Sequence, residues 1–241
     1  MITKLFSTLT LFATLIVALS GCISAPRQPF NKSANQTIKK IAVVGPQAEK
    51  FHIGNIGGAG GAFGSIGAAV EIAETERKSN EFTQQMKVQQ LSMGTELTRA
   101  VKEQLESDGY EVTILSGQQP VALDDSELDF AYAGIRTDAD AILHVWFANP
   151  LGYISPPGLT DYIPRVNVRA RLLAANTKAQ LYFQMYMYGW NPDVENLEHV
   201  PAHQMYSYGD FDTLIARSQE AAEGLRLGAQ EVAVRIGLAL K

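Results

Sequence analysis

Residues 165–189 read RVNVRARLLAANTKAQLYFQMYMYG, and this stretch decides the fold. Val166, Val168, Ala170 and Leu172 alternate with Arg165, Asn167, Arg169 and Arg171. Beyond a turn near Asn176 and Thr177, Leu181, Phe183, Met185 and Met187 alternate with Gln180, Tyr182, Gln184, Tyr186 and Tyr188. Successive strand side chains point to opposite faces, so a period of two predicts an antiparallel hairpin with one buried and one polar face. The polar face then carries Arg165, Arg169, Arg171, Tyr182, Tyr186 and Tyr188. Arginine and tyrosine are enriched at protein interfaces, which makes this face a candidate protein-interaction surface.

Upstream, AILHVWFAN (141–149) is apolar on both faces and reads as a central strand. The link PLGYISPPGLTDYI (150–163) holds three prolines and two glycines and reads as a loop. IKKIAVVG (38–45) and YEVTIL (110–115) supply two further strands. Between them residues 71–107 read as mostly helical, clearest from Met86, where Val88, Leu91, Leu97, Val101 and Leu105 recur at helical spacings. Asp108 and Gly109 end that helix. Ser126 and Asp129 form a variant capping box that predicts a short helix. After a long loop over 189–210, a last helix over about 212–239 carries Leu214, Ala221, Leu225, Ala229, Val232 and Ile236 on one stripe. The order predicts an α/β fold: a two-layer sandwich of long helices on a mixed sheet of about five strands, ending in the carboxyl-terminal hairpin.

The chain of 241 residues carries 20 Lys and Arg against 25 Asp and Glu, a formal charge of −5. With no basic stripe, nothing points to nucleic acid. One cysteine allows no disulfide within the chain, so the core must hold without one.

That cysteine, Cys22, closes MITKLFSTLTLFATLIVALSGC. Lys4 and the apolar run 5–19 form a signal peptide, too short for a comfortable membrane span. At Leu19, Ser20, Gly21 and Cys22 the chain resembles the bacterial lipobox. The resemblance implies cleavage before Cys22, a diacylglyceryl thioether on its sulfur and an acylated (palmitate-type) amino group. Two or three chains at about 0.8 kcal/mol per buried methylene make such an anchor durable. Ile23 follows in place of the aspartate that retains lipoproteins at the inner membrane in enteric bacteria, so the resemblance implies the inner leaflet of the outer membrane, facing the periplasm. The expected organisation is a signal peptide (1–21), a lipidated polar tether (22–37) and one periplasmic domain (38–241) with a glycine-rich insert at 52–71.

Between His52 and Glu71 lie 18 uncharged residues, seven of them glycine. Gly58 and Gly60 would begin a dinucleotide fingerprint, but its last glycine position holds Phe63, and no P-loop lysine follows. Gly57, Gly61, Ser65 and Ala69 stand at small-xxx-small spacing with Gly60 and Gly64 beside them, a candidate membrane or oligomer contact at Gly57, Gly60, Gly61 and Gly64. His199 and His203 are four apart, but Pro201 spoils the helix a zinc pair would need, so no metal site is expected. His144 reads as a core histidine. FGSIG (63–67) lacks the first glycine of a nucleophile elbow. No catalytic residue and no cofactor is expected.

The order of elements, with KKIAVVG, LTRAVKEQLESDGYEVTIL, DADAILHVWF and the hairpin, resembles a broad group of bacterial envelope lipoproteins. The group includes the curli-secretion channel lipoprotein, lipoprotein activators of peptidoglycan synthases and the amino-terminal domain of the Tol propeller protein. The resemblance implies a non-catalytic scaffold or adaptor that binds envelope proteins or its own copies during assembly or transport. A second reading is a subunit of an oligomeric export pore that inserts the glycine-rich segment. A third is an envelope hydrolase, for which no motif speaks.

Overall fold

The β-branched run that the sequence places at residues 41–44 becomes the middle of a sheet. In a computed structural model, which describes residues 25–47, 50–55, 64–124 and 128–241, strand β1 (Lys40–Val44) is buried from Ile41 onward. It pairs in parallel with β3 (Glu111–Ile114) on one side and with β6 (Ala141–Phe147) on the other. Strand β6 pairs antiparallel with β8 (Ile163–Ala174), and β8 pairs antiparallel with β9 (Gln180–Gly189). A short β10 (Glu198–Pro201) runs parallel to β9, giving the order β10-β9-β8-β6-β1-β3. The first residues of β8 also pair with β7 (Gly152–Ser155), which in turn pairs in parallel with β2 (His52–Asn55).

The mixed α/β sandwich expected from the pattern is present, with the hairpin as its longest pairing, but the sheet has eight strands. The additional strands β2, β7 and β10 come from stretches read as glycine-rich insert or loop. Strands of four residues leave too little alternation to be seen in sequence.

Among the described residues the α-helices are α1 (Gly64–Val88), α2 (Met93–Ser107), α3 (Phe211–Ala216) and α4 (Ser218–Leu240). The single long helix expected before β3 is two. Gln90 at φ 53° breaks it, Val88 is exposed, and Leu91 turns into the core between the two helices. The stop at Asp108 and Gly109 is as expected: Gly109 sits at φ 92°, its N–H bonds Glu106 O, and the Tyr110 N–H bonds Leu105 O. These are the two bonds of a Schellman cap. The last helix expected over about 212–239 is broken at Arg217, which leaves Leu214 on α3; α4 carries the rest of the stripe, with Ala221, Leu225, Ala229, Val232 and Ile236 all fully buried.

Two further expectations are corrected. Instead of a short helix after Ser126, the chain forms a two-stranded ribbon of β4 (Val121–Ala122) and β5 (Phe130–Ala131). Tyr132, Ile135, Ile142, Leu173 and Val44 form a second small core, on the sheet face away from the helices. From Ala25 on, the segment read as tether lies on the fold. Ala25 is buried, its N–H bonds Glu195 O at 2.8 Å, and Gln28 exchanges both backbone hydrogen bonds with Phe183 on the outer edge of β9.

Candidate functional site

The hairpin register separates residues that the sequence places together. Val166 faces Tyr188, Val168 faces Tyr186, and Leu172 faces Tyr182. Directly paired residues share a face, so the three tyrosines lie with the aliphatic residues, under helix α4, and are 1–2% exposed. Burial pushes their hydroxyls above the usual tyrosine range, and Tyr182 and Tyr186 bond each other. Helix α4 approaches the hairpin closely at Gly228, while its Gly224 faces Tyr153 and Tyr206. A Cβ on Gly228 would stand 2.6 Å from Tyr188 Cδ1.

Arg165, Arg169 and Arg171 lie on the opposite face, beside Phe183, Met185 and Met187. The expected arginine–tyrosine face therefore does not exist. A shift of one residue in register moves every side chain of a strand across the sheet, and β9 reads as apolar on either choice of face. The arginine face is not a solvated one. Arg165 and Arg171 are 7% and 8% exposed. Arg165 donates through Nε to Asn167 Oδ1 at 3.3 Å and lies over Trp190, while its Nη1 is buried with no hydrogen-bond partner among the described residues. Burial lowers its pKa. Arg171 donates to the Leu128 carbonyl and lies over Trp146 and Phe183.

Next to this row, at the carboxyl ends of β1 and β6, a cavity of about 470 Å³ opens. Ligands of open α/β sheets bind outside the carboxyl ends of parallel strands, where the strand order reverses. Here β1 lies between β3 and β6, and the β3–β6 connection crosses the face away from the helices. The lining includes Lys50, Gln119, Phe130, His144, Trp146 and Asn149. His144 and Trp146 stack with centroids 4.4 Å apart and 16° between planes, and Phe130 stands edge-on to both at 4.9 and 5.0 Å. The Tyr132 hydroxyl is 3.0 Å from His144 Nδ1. Burial, with the Arg171 charge adding to it, pushes the His144 pKa down to about 3, so the ring is neutral at physiological pH. Sequence reasoning treated His144 as core and missed the cavity, because its lining comes from three separate segments. The histidine in an otherwise aliphatic and aromatic strand was the available signal.

Cys22, Gly57, Gly60 and Gly61 lie outside the described residues; Gly64 opens α1. Among the described residues no helix is long and apolar enough to cross a membrane, and no group of three His, Cys, Asp or Glu side chains could hold a metal. His199 Nε2 bonds the Gly189 carbonyl at 2.8 Å, on β10 and not on a helix.

No family model matches the chain, and no curated protein matches it. Among solved structures it is similar to protein XCC0632 from Xanthomonas campestris, at 10% identity over 90% of this chain and 91% of that one, TM-score 0.39. It is similar to the PelC dodecamer from Paraburkholderia phytofirmans at 11% identity over 83% and 94%, TM-score 0.29. It is also similar to lipoprotein GNA1162 from Neisseria meningitidis at 14% identity over 61% and 80%, TM-score 0.26. Likeness at these scores carries no statement about role.

Proposed function

We propose that this chain is a non-catalytic lipoprotein of the bacterial envelope, anchored through Cys22 to the inner leaflet of the outer membrane, whose periplasmic domain binds other envelope proteins as a scaffold or adaptor. The observation that carries this reading is the sequence LSGC placed three residues ahead of Ala25, which is already buried against the fold. Only Ile23 and Ser24 separate the acceptor cysteine from the buried Ala25. An extended chain covers at most about 3.6 Å per residue, so the acylated sulfur stays within roughly 10–15 Å of Ala25. The edge formed by β9 and residues 190–197 then lies against the lipid headgroups, and the remainder of the domain points into the periplasm.

The test is Cys22→Ser. The parent should fractionate with membranes and have the mass of a chain that starts at an acylated Cys22. The variant should lose both properties. A parent with an unmodified thiol, or a variant held as tightly as the parent, overturns the proposal. Crosslinking in intact cells, with identification of the captured envelope proteins, then defines the partners.

A further inference from the structure

Three lysines from distant parts of the chain meet around one small cavity. It holds about 80 Å³ and lies where the segment leading into β1, the carboxyl end of α2 and the carboxyl end of α4 come together. Lys32, Lys39 and Lys241 line it, together with Asp108 and the amides of Asn35 and Gln36. We propose that this cavity binds a tetrahedral oxyanion of the phosphate type, free or as a monoester, held by the three ammonium groups.

One of the three cations is held in place by the fold. The Asp108 side chain is 1% exposed and both its oxygens are engaged, Oδ1 by Lys241 Nζ at 2.7 Å and Oδ2 by Gln104 Nε2 at 3.0 Å. An ammonium has three donors, so Lys241 keeps hydrogens for a ligand after this pairing. The Tyr110 hydroxyl steadies the same corner by donating to the Leu240 carbonyl at 2.6 Å. A donor positioned beforehand costs a ligand less ordering than a free one. Asp108 is thus a positioning residue for Lys241.

Lys32 and Lys39 supply the charge that the fold leaves unbalanced. Among the described residues neither joins an ion pair, with Asp108 or with the main-chain carboxylate of Lys241, whereas the neighbouring Lys40 pairs with Glu111. Three ammonium groups against one carboxylate leave the lining side chains with a net charge of two. A phosphate monoester carries about −1.5 to −2 at pH 7 and balances it, where a carboxylate balances half. The described neighbours of Glu49, Asp125 and Glu127 lie at the other end of the sheet. Gln47 and Lys50 line the cavity at the carboxyl ends of β1 and β6, and the Leu128 carbonyl bonds Arg171, opposite His144. His144 is level with Val44, five residues and about 16 Å along β1 from Lys39. Size sets the group: about 80 Å³ is far below the roughly 300–1,000 Å³ of sites that enclose a whole ligand, so one charged group enters and an ester's body stays outside. Neither the site nor its test depends on Cys22.

Equilibrium dialysis of the full purified protein in detergent against labelled inorganic phosphate, with sodium chloride at about 0.15 M to screen loose surface charge, tests the proposal. Phosphate should bind saturably at one site with a Kd of about 1 mM or below, and acetate about tenfold more weakly. Lys32→Ala and Lys39→Ala, both at exposed positions, should each lower phosphate affinity about tenfold. Lys87→Ala, at an exposed lysine on the last turn of α1, should leave it unchanged. Glycerol 3-phosphate that displaces the label as well as phosphate does supports the site as one for esters; failure to displace it supports the free ion. No saturable binding of phosphate below about 10 mM, equal affinity for acetate, parental affinity in both cavity variants, or an equal loss in Lys87→Ala overturns the proposal.

Discussion

Burial moves the titration of single side chains in this protein away from their values in water. His144 titrates near 6.5 in the unfolded chain and at about 3 when folded, mainly through burial. Between those values the unfolded state binds a proton that the folded state refuses. Stability from this group is complete above pH 6.5 and falls with pH below it, by about 1.4 kcal/mol per pH unit. His144→Phe should flatten that slope, seen as a smaller loss of urea midpoint between about pH 7 and pH 4.5. Arg165 is the opposite case, a charge kept in a buried place with an orphaned Nη1 and, among the described residues, no ion-pair partner. Replacing a poorly compensated buried charge by an apolar side chain of similar length is often stabilising. Arg165→Met should raise the urea midpoint, by on the order of 1 kcal/mol in folding free energy. An unchanged or lower midpoint would mean that the Asn167 and Trp190 contacts outweigh the desolvation.

At the level of elements, α4 and the hairpin fit by exchanging size: glycine on the helix for tyrosine on the sheet. Gly228→Ala gains about 1 kcal/mol in helix propensity. It also sets a Cβ 2.6 Å from Tyr188 Cδ1 and 2.8 Å from Val166 Cγ2, both in a fully packed layer. Overpacking of that kind costs about 1–3 kcal/mol, so a net loss should appear in thermal melts. Gly109→Ala should cost about 1 kcal/mol for a different reason. There is open space around a Cβ there, but φ 92° strains any L side chain. This second effect was legible in the sequence, where Asp-Gly follows a helical stripe. The long helices, the central strands and the hairpin were legible as well, because each repeats its period often enough to be read. The faces of the hairpin were not. Tyr182, Tyr186 and Tyr188 alternate with Phe183, Met185 and Met187, and either set could be buried; the choice depends on packing against residues far along the chain, such as Gly228 beside Tyr188. The cavity was hidden for the same reason, since Lys50, Gln119 and His144 meet only after the sheet has formed.

Across the whole molecule, the docked segment from Ala25 turns a lipid anchor into an orientation. If Cys22 is acylated, residues near Glu195 lie at the membrane, and β3, five strands from β10 at about 4.8 Å each, lies roughly 24 Å away along the sheet. A fluorophore on Glu195→Cys in proteoliposomes should be quenched strongly by a headgroup-linked quencher, and one on Thr113→Cys weakly. Equal quenching would mean that the domain tumbles freely on its anchor.

The sheet's strand order also sets a schedule. β1 is the first strand to emerge from a secretion channel that releases the chain amino end first, yet its neighbours begin only at Glu111 and Ala141. Until Ile114 has followed, four consecutive apolar residues at 41–44 wait without either flank covered, and until Phe147 one flank stays bare. If the chain is exported, it is at its stickiest while more than half of it has still to follow, and holding factors would act on it in that interval.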